Sequence, residues 1–412
     1  MAEPKDLKYE DVAMYKINSK RVDFLIGEKK ISNLTKKPFD KTIISFLKDF
    51  SKNLNQDKET NIYTDLKELS FWCRERNILR LQKKHNSDYY RIGKGLIFHI
   101  TPSNVPTNFF YSLIFGLLSG NSNIIKISSI NFEQVRIIVN NLQKVLKKKN
   151  YNKVKKMITI IKYENEDDIT KYLSSICDLR IIWGGDKTIK EIRKFPLKTL
   201  ANEICFADRF SFSIINTDKL SNNKNKIEID KLVNNFYNET MVMDQNACTT
   251  PHLILWKGKK NNKIVNEFWN KFSSKILQNY KFPELAMIDK YTQYCIDASK
   301  KKEIKKISVY NKHLFIADLK ELNNELSSHK GMWGYFYQYK IKKLDQIVPY
   351  ITRKFQTLSY YGFNSEEMKT FISKHNMNGV DRIVPIGQGL SINLIWDGYD
   401  IINSFTRNID VI

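Results

Sequence analysis

Sulfur is scarce in this chain and badly placed for cross-linking. Its 412 residues hold five cysteines, Cys73, Cys177, Cys205, Cys248 and Cys295, an odd and scattered set with no C-x-x-C pair. That argues against a disulfide framework and against a zinc site, so no metal is expected. Long apolar runs are missing as well. The longest, Phe109 to Leu118, is too short to span a bilayer, so no membrane span is expected. The opening Met1-Ala2-Glu3-Pro4-Lys5-Asp6 lacks the apolar centre of a signal peptide, and the expected setting is a reducing cytoplasm. Acidic residues are the third deficit: 44 Asp and Glu against 68 Lys and Arg leave a formal charge of +24. Such a charge invites a nucleic-acid reading. The lysines, however, are mixed with Asn and Ile at 147–149, 155–156, 257–263 and 300–306, and no RNA- or DNA-binding motif accompanies them. A solvated basic surface is expected, without a nucleic-acid partner. The functional alternative is attraction of a polyanionic ligand such as a phosphorylated cofactor. A strict G-x-G-x-x-G is absent too, so the usual dinucleotide fingerprint is not there.

What is present is a chain long enough for two or three domains with ordinary apolar content. Helical periodicity covers Lys41 to Leu54 and Asp65 to Gln82, and Arg76 and Arg80, four apart, share one face. From about residue 91 strands and helices alternate. Gly95 to Ile100 reads as a buried strand, and Thr101-Pro102-Ser103-Asn104-Val105-Pro106 turns it into a helix, with Pro106 suited to the first turn. That helix is apolar nearly all round through Leu118, and Gly120 is placed to cap it. Strands follow at Asn123–Ile127, Met157–Ile161, Leu179–Trp183 and Phe210–Ile215, separated by helices near 132–146, 167–176 and 188–194. Repeated strand–helix–strand units of this length specify an α/β fold with a mostly parallel sheet. Ligands in such sheets bind at the carboxyl ends of strands, where Asn104, Lys126 with Ser128 and Ser129, and Gly184-Gly185 fall. The polar stretch Asn216 to Lys226 marks a probable change of domain. Helices (266–277) and strands (307–310, 313–317) mix again after it, with no internal repeat. Residues 379–400 are dense in turn formers and aromatics.

The most conspicuous turn is Met243-Asp244-Gln245-Asn246-Ala247-Cys248-Thr249-Thr250-Pro251-His252, between a helix-like run and the short apolar strand Leu253 to Trp256. A cysteine there is either a small half-buried hydrophobe or a reactive group poised to meet a substrate. Residue pattern alone leaves both open.

Taken with a second stretch, the turn gains meaning. Ile97 to Pro106 followed by Gly116 to Lys126 resembles the aldehyde dehydrogenase superfamily: a strand, a Pro-x-Asn-x-Pro turn, a buried helix and a Gly-Asn-x-x-x-x-Lys strand. Asp244-Gln245-Asn246-Ala247-Cys248 resembles that superfamily's nucleophile turn. The wording is closer still to one branch, the bacterial long-chain acyl-CoA reductases of the LuxC type, whose "HI-P-NVP", "DQ-AC-SP" and "DRIVP-G…WDGYD" blocks are legible at 97–106, 244–251 and 381–400. Thr250 stands where the branch has Ser. The likeness spans roughly residues 90 to 412.

This resemblance implies an aldehyde-dehydrogenase-like architecture: an N-terminal helical arm (1–88) on a Rossmann-type nucleotide-binding domain (89–216), a catalytic domain (217–390), and a C-terminal tail (391–412) that could serve oligomerisation. It implies that Cys248 is a nucleophile that carries an acyl group as a thioester, with Asn104 and the Cys248 backbone N–H as oxyanion donors. Thr101, Pro102, Ser103, Lys126, Ser128, Ser129, Gly184, Gly185, Thr188 and Gln356 are the expected cofactor contacts. Where the superfamily often has an acidic residue for the ribose 2′-hydroxyl, this chain has Ser129, which points to NADPH. The glutamate base of hydrolytic members is replaced by Phe206, with Glu203 and Asp208 close enough to substitute under a shifted alignment. His252, four residues after the cysteine, reads as structural or substrate-adjacent, and His99 as a hydrogen-bonded core residue. The implied activity is NADPH-dependent reduction of a fatty acyl-CoA or acyl-protein thioester to the aldehyde, with an acyl-protein synthetase as a plausible partner and a homo-oligomer expected. Two other classes compete: an acylating or hydrolytic aldehyde dehydrogenase, and a catalytically silent basic binding protein.

Overall fold

A computed structural model describes residues 15–17, 20–85, 89–164, 166–220, 225–258 and 261–411. The reading of residues 1–6, part of the 216–226 stretch, and Lys259-Lys260 of one lysine cluster lie outside them. The chain forms two compact units: residues 1–207 with 393–395 and 399–412, and residues 208–392 with 396–398.

The first unit is built on a six-stranded sheet. Its strands are β1 (Asp23–Ile26), β2 (Leu96–Ile100), β3 (Ser122–Lys126), β4 (Ile158–Lys162), β5 (Leu179–Trp183) and β6 (Asn202–Phe206), in the order β1-β4-β3-β2-β5-β6. All pairs are parallel except β1–β4 at one edge. Parallel strands are covered on both faces, which is why β2 and β5 are buried at every position. The helix Asn108–Leu118 is buried from Phe109 onward, as its all-round apolar sequence demands. It ends where Gly120 takes a φ of +80°, and a side chain there would meet the Lys36 carbonyl oxygen at 2.0 Å. The N-terminal segment is joined to this sheet by that same loop. The Lys36 N–H donates to the Gly120 carbonyl (2.8 Å), and Ser122 Oγ donates to the Leu34 carbonyl (2.9 Å). The expected single helix at 65–82 is two, Thr64–Trp72 and Glu75–Lys84, broken at Cys73-Arg74, where Cys73 is fully buried.

The second unit carries a seven-stranded sheet: β7 (Phe210–Asn216), β8 (Pro251–Lys257), β9 (Ile304–Asn311), β10 (Leu314–Leu319), β11 (Tyr335–Ile341), β12 (Phe355–Tyr361) and β13 (Arg382–Pro385), in the order β9-β10-β11-β8-β7-β12-β13. Only the β9–β10 edge pair is antiparallel. Alternate residues of β8 feed two cores. Leu253 and Leu255 pack with Phe210, Phe212 and Phe355, while Ile254 and Trp256 pack with Phe236, Phe268 and Trp269. Burying each such side chain contributes about 1.5–3 kcal/mol.

The strand at 210–216 therefore corrects the expected boundary. It was read as the last strand of the nucleotide-binding half, but it pairs with β8 and β12 in the second sheet, and the change of unit falls between Ala207 and Asp208. The polar stretch after it includes, among its described residues, a 3₁₀ turn (Thr217–Leu220), with Asp218 and Lys219 exposed, and the start of the helix Asn225–Thr240.

Candidate active site

Cys248 lies just before β8, in a turn that the backbone alone would not choose. Asp244 and Gln245 both occupy the left-handed region, at φ +54° and +61°. For residues other than glycine such geometry costs about 1–3 kcal/mol each and persists only where surrounding bonds over-determine it. Those bonds are present. The fully buried Gln245 side chain accepts from the Gly334 N–H and donates to the Tyr335 carbonyl (2.9 Å each), its own N–H donates to the Thr240 carbonyl (2.7 Å), and Tyr280 Oη donates to Asp244. Thr250, in the place of the family's serine, donates its hydroxyl to the Glu239 carbonyl (3.2 Å).

Ser211 holds the turn from the other side. Its Oγ donates to the Cys248 carbonyl (2.7 Å) and accepts from the Thr357 N–H (3.2 Å). The ladder slips register at this serine on both flanks of β7, the kind of bulge that re-aims groups beside an active site. On β12, Gln356 is 2% exposed and donates from Nε2 to Cys248 Sγ (3.3 Å) and to the Asp397 carboxylate. Asp397 is also ion-paired with Arg209 (3.6 Å), and Arg209 with Asp381. Asp397 and Gly398 both have positive φ, at +50° and +79°, and form the two-residue turn between the short strands Ile395–Trp396 and Tyr399–Asp400. That is the geometry an Asp-Gly pair favours.

Cys248 keeps some solvent exposure, yet burial pushes its thiol up to about 12. The Asp397 charge adds to that rise, while the Gln356 hydrogen bond and the Arg209 and Arg382 guanidiniums oppose it. Burial likewise raises the Asp397 carboxyl, against the pull of Arg209 and Gln356. Arg382 lies 5.3 Å over the Trp396 ring and donates to the carbonyls of Gly389, Gln388 and Ser391. Glu239, 1% exposed, accepts from the Gly387 and Gly389 N–H groups (2.6 and 3.2 Å), so the 386–389 segment wraps a buried carboxylate.

No neighbouring acid or histidine stands ready as a base among those expected. Glu203, in the first unit, is ion-paired with Arg180 and Arg193 (2.5 and 2.7 Å). Burial works against its charge, but the two arginines hold its carboxyl below the usual range. Asp208 is ion-paired with Lys330. The His252 Nδ1 sits 2.8 Å from the Gly331 carbonyl, and burial, with Lys330, pulls its pKa down to about 4, so the ring is neutral and Nδ1 is the donor. Phe206 stacks on Trp183 with ring centroids 3.8 Å apart.

The first unit has its own candidate site at the carboxyl ends of β2, β3 and β4. A cavity of about 430 Å³ is lined by Ile100, Lys126, Tyr163, Glu164, Lys187 and Thr188, among others. Lys126 is half-buried at its edge, Nζ 5.4 Å from the Tyr163 ring centroid, and burial pulls its pKa down. Among the described residues no carboxylate lies within ion-pair reach of it. Glu166 and Glu191, also in the lining, are paired with Arg21 and Lys194. Gly185 is the N-cap of the helix Asp186–Ile192, and Asp186 is its first helical residue. A side chain at Gly185 would meet nothing within 4 Å, and one at Gly184 would touch Thr188. Packing thus leaves open space in front of this helix.

The structure brings together only some of the expected contacts. Lys126 and Thr188 share the cavity, with Gly184 and Gly185 next to Thr188 in the chain. Thr101 donates its hydroxyl to the Lys126 carbonyl (2.9 Å) and so fixes the strand end. Pro102 is half-buried, Ser103 and Asn104 are exposed in the turn that follows, and Ser129 is exposed, while Ser128 Oγ accepts from the Ile130 N–H (3.1 Å). Asn104 belongs to the first unit and Cys248 to the second. Gln356, expected beside the cofactor, donates to the sulfur and to Asp397, because the β12 register sets it against the cysteine turn. Sequence reading missed Arg209, Ser211, Arg382 and Asp397. Arg382 and Asp397 lay inside quoted blocks without a role, and the Asp-Gly hairpin signal could have located Asp397.

The sequence profile of the family described as acyl-CoA reductase (LuxC) matches residues 27–408. A long-chain acyl-protein thioester reductase of Photorhabdus luminescens is 23% identical over 301 residues, covering 71% of this chain and 58% of the relative. The chain thus aligns with well under two thirds of that relative's length. Among solved structures, a NAD-dependent benzaldehyde dehydrogenase from Corynebacterium glutamicum superposes with a TM-score of 0.62 at 11% identity, covering 95% of both chains. Lactaldehyde dehydrogenase from Escherichia coli gives 0.62 at 12% identity, covering 89% of this chain and 85% of its own. At such identities the likeness establishes the fold.

Proposed function

The chain belongs to the acyl-CoA reductase (LuxC) family, and from that premise we propose that it reduces a long-chain fatty acyl thioester, delivered as acyl-CoA or as an acyl-protein, to the fatty aldehyde. The second unit is the catalytic one and the first binds the nucleotide, NADPH. One observation carries the reading: Cys248 Sγ is met by a hydrogen-bond donor, Gln356, while Glu203, Asp208 and His252 are each committed elsewhere. A sulfur that meets an N–H donor where charge develops, without a base to activate water, suits holding an acyl group rather than hydrolysing it.

Cys248 attacks the thioester carbonyl; the bond to the donor thiol breaks, that thiol leaves with the cysteine's proton, and a thioester forms on Sγ. NADPH, held by Lys126 and the 184–188 segment, would supply hydride chemistry at that carbonyl. Cys248 then departs as a thiolate towards the Gln356 N–H, as the C–Sγ bond breaks and the aldehyde carbonyl re-forms. Asn104 and the Cys248 N–H would stabilise the oxyanion in both tetrahedral steps.

The first unit fits the nucleotide. Its cavity falls in the size range of small-molecule sites, opens at strand carboxyl ends, and holds a lysine that has no carboxylate partner among the described residues. Lys126 would face the ribose side and the 184–188 segment the phosphates. Ser129 leaves room for a 2′-phosphate. The name of the Photorhabdus relative supports a protein-borne thioester, and with it a synthetase partner.

The test is exposure of the protein to a panel of acyl-CoAs, with intact-mass detection and then NADPH. Wild type gains one acyl mass, which NADPH discharges as aldehyde, and Cys248→Ala gains none. An acyl mass on Cys248→Ala, or no mass on wild type with any chain length, overturns the reading.

A further inference from the structure

We infer that Gln356 is a catalytic hydrogen-bond donor to the Cys248 sulfur and that Asp397, acting through it, is the residue that sets the donor's orientation. A glutamine side chain offers two N–H donors on one end and an acceptor on the other, and a half-turn exchanges them. Two neighbours decide between these states. The Asp397 carboxylate, as an ion, only accepts, so it draws the amide nitrogen, and Thr357 Oγ1 donates to Gln356 Oε1 (3.3 Å). With one N–H on Asp397, the other reaches Sγ at 3.3 Å. The reversed amide would set its oxygen against a carboxylate and leave the sulfur without a donor.

The surroundings make this bond matter. The charged groups that act on the thiol are Asp397, Arg209 and Arg382. Arg209 is taken up by Asp381 and Asp397, and Arg382 is spread over three backbone carbonyls. Burial and Asp397 both disfavour the thiolate. The Gln356 N–H is the side-chain hydrogen bond that opposes them, directed at the atom on which charge appears when the donor thiol is displaced and when the aldehyde leaves. Asp397 therefore acts in two senses: its charge works against the thiolate, and its hold on the amide supports it.

This inference rests on the proposed reaction for what the sulfur does, but the thiol can be read without it. The probe is iodoacetamide at a fixed pH of about 8, where the alkylation rate follows the thiolate fraction; Cys248 is followed by peptide mass, because Cys295 is exposed and reacts separately. Gln356→Met keeps the length of the side chain and removes the donor. Its alkylation rate is expected to fall about tenfold or more below wild type, and kcat to fall about tenfold to a hundredfold with KM for the acyl thioester little changed. Asp397→Asn then separates the two senses. In the Gln356→Met background it speeds alkylation, since only the charge is lost. In the wild-type background that gain is cancelled or reversed, because the donor loses its orientation. An unchanged rate in folded Gln356→Met, or an equal Asp397→Asn effect in both backgrounds, overturns the inference. If Gln356→Met does not fold, Gln356→Glu decides: its acceptor should slow alkylation further, and no slowing overturns the inference as well. A protein that forms no acyl adduct yet shows these changes in alkylation would refute the proposed reaction and leave the thiol's donor standing.

Discussion

Two groups of strand ends, one in each unit, are furnished in opposite ways. The first unit's cavity opens at the carboxyl ends of β2, β3 and β4, where chain direction leaves a crevice, whereas the cysteine turn lies at the amino ends of β7, β8 and β12. In the first unit packing leaves the crevice open: a cavity of about 430 Å³, a lysine with no carboxylate in ion-pair reach among the described residues, and an exposed glycine N-cap. In the second unit the turn entering β8 is filled. Gln245, Ser211, Gln356 and Asp397 are all buried and all hydrogen-bonded, and together they fix one sulfur. A site that takes up a ligand keeps its polar groups uncommitted, and a site that must present one reacting atom commits nearly all of them. Preorganisation costs strain at Asp244 and Gln245, and an open cavity avoids that cost.

The contrast can be broken by substitution. The largest effect is expected where a donor acts on developing charge: Asn104→Ala should lower kcat about 10²–10³-fold with the acyl adduct on Cys248 still forming, slowly, in the intact-mass assay. Full activity in a folded Asn104→Ala protein would remove it from the chemistry and return it to a turn-forming role. A smaller effect belongs to the open site. Lys126→Ala should raise KM for NADPH about tenfold, the worth of one charge-assisted contact of about 1.4 kcal/mol, and leave Cys248 alkylation untouched. An equal loss for NADPH and NADH would show that Lys126 does not distinguish the 2′-phosphate. Loss of alkylation would show that the two sites are not independent.

Much of the scaffold was legible because it rests on local pattern. The buried helix at 108–118, its Gly120 terminus and the strands at 96–100, 122–126 and 179–183 follow from apolar periodicity and turn residues. Which sheet the strand at 210–216 joins was not legible, since an apolar run carries no record of its partners, and β7 pairs across 40 and more residues with β8 and β12. The cysteine and its turn were found through a family resemblance, while residue pattern alone favoured an ordinary half-buried cysteine. The groups around the sulfur come from four separated segments (209–211, 248, 356 and 397), so their meeting is a product of tertiary packing. Gln356 shows the limit most clearly: its segment was singled out, yet its contacts with Cys248 and Asp397 were not foreseen.

The smallest expected effect touches stability rather than turnover, and compares one buried histidine from each unit. His99, fully buried, is held by Ser112 Oγ (2.7 Å) and Asn123 Oδ1 (3.0 Å), and burial pulls its pKa down to about 3. His252 is held by the Gly331 carbonyl and lies at about 4. Both are depressed, so the unfolded chain takes up these protons first, near pH 6.5. The stability they lend is complete above that value and falls as pH drops towards 4 and 3. Each contributes a loss of about 1.4 kcal/mol per pH unit inside its window. Between pH 6.5 and 5, above the range where most carboxylates titrate, denaturant midpoints should fall with pH. His252→Gln should lessen that slope for the second unit, whatever it does to stability at pH 7.5. An unaltered slope would mean that the Gly331 contact does not keep the ring neutral.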